Sequence, residues 1–105
     1  MKTRLEQLQE LLADDPDDSF ARYCIAMEFD KLGRLDEAAA QFRDLIDRDA
    51  DYAAAYFMAS KTLQKLGKID DAREMLAGGI AAAKRSGDTH AAEEMTEALN
   101  QLEGQ

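Results

Sequence analysis

An eight-residue block occurs twice, and the distance between its copies governs what the chain can fold into. Lys31-Leu32-Gly33-Arg34-Leu35-Asp36-Glu37-Ala38 recurs as Lys65-Leu66-Gly67-Lys68-Ile69-Asp70-Asp71-Ala72, an offset of 34 residues (67 minus 33). At the same offset Ala21 meets Ala55, Asp15 meets Asp49, Asp17 meets Asp51 and Ile46 meets Ile80. The register also runs backward, so that Gln7 meets Gln41, Leu8 meets Phe42 and Leu11 meets Leu45. A period of this length marks an architecture of stacked units, each burying its apolar face against its neighbours. The first segment therefore reads as the second half of an earlier, truncated unit.

Each unit has the chemistry of a helix pair. Phe20, Tyr23, Cys24, Met27 and Leu32 recur at helical spacing and are expected to form one buried stripe. Gly33 can end that helix in the left-handed conformation at little steric cost. Asp36 and Glu37 then fall in the first turn of the next helix, at the positive end of its dipole. Ala38 and Ala39 let two helices approach, and Phe42, Leu45 and Ile46 continue the apolar face. Tyr56, Leu63, Gly67, Ala72, Leu76 and Ile80 repeat the pattern. Thr3 and Glu6 have capping-box spacing. Pro16 breaks the chain between the first two helices, and Gly87 with Asp88 separates the last two. Six helices are expected, at about 3–14, 18–32, 36–48, 52–66, 70–86 and 89–103. Gly78 and Gly79, in mid-helix, each cost about 1 kcal/mol against Ala, and close helix packing is expected at Gly79.

Composition supports one helical domain and excludes several functions. In 105 residues there are one Pro, no Trp and 46% apolar residues, too many for a disordered chain. Acids outnumber bases 22 to 13, for a net charge of -9. A duplex-binding protein needs the opposite balance, so neither nucleic acid nor an anionic membrane is an expected partner. The longest apolar run, Ala53 to Ala59, is far short of a span, and no apolar signal core follows Met1. A cytoplasmic location is the expectation. A lone cysteine, Cys24, excludes a disulfide framework.

The chain resembles the tetratricopeptide repeat family. The family pattern runs W-x2-L-G-x2-Y, A-x3-F, P, with a period of about 34. Arg22, Ile25, Ala26, Phe29, Ala38, Phe42 and Ala50 stand at those positions in one unit. Tyr56, Ala59, Ser60, Leu63, Ala72, Leu76 and Lys84 stand there in the next. The resemblance implies an all-α, right-handed α-solenoid over residues 1–105. It comprises a capping helix at 3–14, repeats at 18–50 and 52–86, and a second cap at 88–103. It further implies a concave groove lined by the first helix of each unit, which holds a peptide or a partner helix. The groove residues it implies are Phe20, Tyr23, Met27, Asp30 and Lys31, then Ala54, Phe57, Lys61, Gln64 and Lys65. Some members grip a C-terminal carboxylate with a Lys/Asn clamp. Tyr23, Met27 and Met58 stand at the corresponding positions here, so that mode does not carry over.

No constellation calls for catalysis, a metal or a cofactor. Asp47-x-Asp49-x-Asp51 opens like a calcium loop, but Tyr52 and Met58 stand where Gly and a bidentate Glu are required. Cys24 lies on an apolar stripe, and the only histidine, His90, is in the last helix, so a Cys–His pair is not expected. A non-catalytic protein-interaction module is the expectation. The alternative is a self-assembling homodimer formed through Tyr52, Tyr56 or the ends of the solenoid.

Overall fold

The computed structural model describes residues 1–104, which form six helices joined by short turns and contain no strand. They are α1 (Arg4–Asp14), α2 (Ser19–Lys31), α3 (Leu35–Arg48), α4 (Ala53–Lys65), α5 (Ile69–Arg85) and α6 (Thr89–Glu103). Each boundary lies within one residue of the expected one. Thr3 and Glu6 close a reciprocal capping box on α1. Asp18 and Asp88 accept from the backbone N–H groups of Ala21 and Ala91 at the starts of α2 and α6. After α2, the amide of Arg34 returns to the Phe29 carbonyl and that of Gly33 to Asp30. The same pair of bonds follows α4, from Lys68 to Leu63 and from Gly67 to Gln64. This Schellman closure needs a left-handed residue, and Gly33 (φ 78°) and Gly67 (φ 76°) provide it.

Successive helices pack antiparallel in a stack of 46 × 30 × 19 Å. Ser19, opening α2, donates to Asp49 at the end of α3 (2.8 Å), and Arg85, ending α5, reaches Asp51 just before α4 (2.9 Å). In addition α2 approaches α4 and α4 approaches α6, whereas α1, α3 and α5 approach only the helices adjacent in sequence. A stack closer on one layer than the other curves toward the closer layer, so α2, α4 and α6 line the concave side. No helix among the described residues is long and apolar enough to cross a membrane.

The apolar interior is a pair of adjoining clusters. One is built on Leu8, Ile25, Phe29, Phe42 and Leu45, the other on Tyr56, Leu63, Leu76, Met95 and Leu102. The expected stripe of α2 needs correction. Phe20 and Leu32 are 65% and 53% exposed, and Tyr23, Cys24 and Met27 are only half-buried. The buried face of α2 is Ala21, Arg22, Ile25, Ala26 and Phe29. The reason is that α2 packs against α1, α3 and α4 together, so its apolar residues divide between the interior and the groove.

The close approach expected at Gly79 is present. A Cβ there would lie 2.6 Å from Tyr56 Cβ and would also collide with Met95 Sδ, so α4, α5 and α6 converge where a side chain is missing. Gly78 faces only the edge of the Tyr56 ring, 3.0 Å from such a Cβ. Gly79→Ala should therefore destabilise the fold by about 1–3 kcal/mol through overpacking, despite better helix propensity. Gly78→Ala, which meets only the ring edge and no backbone-proximal atom, should cost less than Gly79→Ala. Urea denaturation of the two variants checks the order, and equal stabilities would contradict the convergence at Gly79.

Candidate functional site

The concave face combines exposed apolar surface with indentations. Phe57, the fifth residue of α4, is half-buried and forms a wall common to two clefts between α4 and α6. The first, about 260 Å³, lies between Lys61 and Gln64 on one side and Ala98 and Gln101 on the other. The second, about 240 Å³, lies between Ala53 and Ala54 and the opposing Ala91 and Glu94. The Lys61 ammonium sits 4.6 Å above the centre of the Phe57 ring. This attraction orders the lysine and leaves its charge at the first cleft, which it lines.

Further along the same layer Tyr23 and Met27 are half-buried on α2, while Phe20 and Lys31 are exposed. Tyr23 packs edge-on to Phe42 (6.2 Å between centroids) and at a tilt against Tyr52 (5.4 Å). Burial, then the neighbouring Cys24, pushes the Tyr23 hydroxyl above its ordinary value. Burial does the same to Tyr52, reinforced by Tyr23. Both phenols are thus neutral hydrogen-bonding groups, and one face of Tyr23 is committed to packing.

The lysines of this face are not equally free. Lys65 donates to Asp30 (2.7 Å) across the α2–α4 step, and the Thr62 hydroxyl donates to the same carboxylate (2.5 Å). Burial works against ionisation of Asp30, but these two donors outweigh it and hold its carboxyl below the usual range. Lys31 and Lys61 have no ion-pair partner among the described residues.

The remaining sequence candidates have local tasks. Asp49 and Asp51 engage Ser19 and Arg85. His90, 84% exposed by side chain, pairs with Glu94 (2.5 Å) at the rim of the second cleft. Tyr56 is buried and Tyr52 half-buried against Tyr23, so neither offers an open dimer surface. Sequence reasoning missed the α6 half of the clefts, Ala91, Glu94, Ala98 and Gln101. The signal that finds them is a register of 36 residues from α4 to α6: Ala53 to Thr89, Leu63 to Leu99 and Leu66 to Leu102.

The family model of the tetratricopeptide repeat matches residues 31–95. A tetratricopeptide repeat domain protein from Salinibacter ruber, solved in solution, is 34% identical with a TM-score of 0.81, over 86% of this chain and 91% of that one. A protein from Bordetella parapertussis is 29% identical with a TM-score of 0.81, over 97% of this chain and 89% of that one. In fold alone the chain is similar to PcrH, solved in complex with the chaperone binding region of PopD: 18% identity and a TM-score of 0.87, over 95% and 76% of the two chains. No curated protein matches the sequence.

A folded-state carboxyl held low adds stability that is full above its unfolded value and is lost as pH falls through the folded one. Asp30→Asn should therefore cost about 1 kcal/mol at neutral pH, and the deficit should begin to close below the ordinary carboxylate value of 3.8 and be gone once pH falls below the lower folded-state value. Thermal melts of both proteins across that range test this. A deficit unchanged in acid would assign the loss to packing instead.

Proposed function

The chain belongs to the tetratricopeptide repeat family, and from that premise we propose that it is a non-catalytic protein-interaction module whose concave groove holds a peptide or partner helix. The observation that carries the reading is Phe57. It stands between two clefts with a lysine over its ring, in a row with Tyr23 and Met27 on the neighbouring helix. An aromatic wall flanked by small cavities is the form of a binding anchor: bound apolar side chains enter the clefts and displace poorly held water. Lys61 and Lys31 then favour a segment with a carboxylate beside its apolar residues. Lys65, engaged by Asp30, fixes the spacing of α2 and α4 rather than meeting the ligand. The complex of PcrH with a region of PopD supports the reading, since a protein of the same fold there binds a segment of another protein.

The test is affinity capture from the source organism's lysate with wild type and a Phe57→Ala/Lys61→Ala variant of unchanged helicity. Loss of a central anchor costs about 2 kcal/mol, so retained prey should fall roughly 30-fold. Prey held equally by both proteins would move the site off this face.

A further inference from the structure

The two ends of the stack are the separated halves of one more helix pair. Aligning α2, α4 and α6 at their first residues places Ala92, Thr96 and Leu99 where α2 has Arg22, Ala26 and Phe29 and α4 has Tyr56, Ser60 and Leu63. Those six residues of α2 and α4 are all buried. On α6 the same face is only partly covered: Ala92 is buried, but Thr96 is exposed and Leu99 half-buried, and a groove of about 500 Å³ runs along it between Lys84, Thr89, Glu93 and Glu97.

At the opposite end, α1 is in register with the second helix of each pair, and among the described residues no first-type helix packs on its outer side. Leu8 stands in register with the buried Phe42 and Leu76. Leu11 stands in register with Leu45, which is fully buried, yet Leu11 is 59% exposed. The end of α1 also copies the end of α3. Asp15 has φ -140° and ψ 85°, and Asp49 has φ -143° and ψ 79°. Asp49 receives the hydroxyl of Ser19, first residue of α2, and the first residue of α6 is again a hydroxyl, Thr89.

We propose that α1 of a second copy of this chain docks on the partly covered face of α6, completing a helix pair between copies and joining them head to tail. Charge favours the antiparallel placement that every other pair in the stack adopts. It sets Arg4, at the start of α1, and Lys2, just before it, toward Glu97 and Asn100. It sets Asp14 and Asp15, at its end, toward Lys84 and Thr89. Lys84, Glu93 and Glu97 have no ion-pair partner among the described residues, Arg4 holds Glu28 only loosely at 3.9 Å, and Lys2 exchanges its exposed pairing with Glu10 for the new contact. The apolar counterpart is Leu11 against Thr96 and Leu99. Because the contact is heterologous, each added copy presents a fresh end, and the concave faces join into a longer groove.

Sedimentation velocity on three proteins tests this: wild type, Leu11→Asp with a blocked leading end, and Thr96→Arg with a blocked trailing end. Both substitutions are at exposed positions, so circular dichroism should match wild type. The average mass of wild type should climb with concentration past two chains, while each variant alone remains at one. Mixed in equal amounts, the variants should form a dimer and go no further, because each supplies the end the other lacks. Wild type that stays at one chain mass at near-millimolar concentration would overturn the proposal, as would variants that associate like wild type. A mixture that does not associate would also overturn it, leaving the groove on α6 to a helix of another protein.

Discussion

The fourth residue of α2 and the fourth residue of α4 donate to equivalent carbonyls. Arg22 bonds to the carbonyl of Pro16 through both Nε and Nη2 (3.2 and 2.9 Å), and the Tyr56 hydroxyl bonds to that of Ala50 (2.7 Å). The two carbonyls are 34 residues apart, as are the two donors. Each bond pins the start of an inner helix to the turn that ends the preceding unit. That fixes the step from one unit to the next. Both donor side chains are buried but the carbonyls they reach belong to exposed residues, so losing either bond costs about 0.5–1.5 kcal/mol beyond the packing of the side chain itself. Arg22 also reaches Asp44 on α3 (2.9 Å), and thereby joins three elements through one side chain.

The groove follows from that step. With α2, α4 and α6 drawn together, the residues next to the latches, Tyr23 and Phe57, face the concave side. The convergence at Gly79 brings α6 close enough to supply the second wall of both clefts. At Ala92 the latch is missing, since alanine has nothing to donate. A groove of about 500 Å³ opens at that place. The regular part of the repeat thus builds the candidate site, and its interruption leaves an end face with a different surface chemistry.

Much of this was legible in the residues. The duplicated block at 31–38 and 65–72 dictated the period, the glycine stops and the six helices, because backbone signals act locally. The interior face of α2 was not legible. A helix packed on three sides carries apolar residues almost all round, so spacing alone does not separate Ile25 and Phe29 from Phe20 and Leu32. Nor was α6 recognisable as a third inner helix. At 17 residues α5 is three longer than the 14 of α3, which moves the following helix out of the 34-residue register. The pairing of Lys65 with Asp30 is a contact across two units, which no local pattern announces.

The claim most open to direct measurement is that partners bind on the α2–α4–α6 layer. Amide chemical shifts of the isotopically labelled chain, recorded with and without a captured partner, read it residue by residue. The account predicts that the largest changes gather at Phe57, Lys61, Glu94, Ala98 and Gln101 and extend to Tyr23 and Met27. Changes centred instead on the outer helices, at Ala40 and Arg43 of α3 or Glu74 and Ala77 of α5, would contradict it.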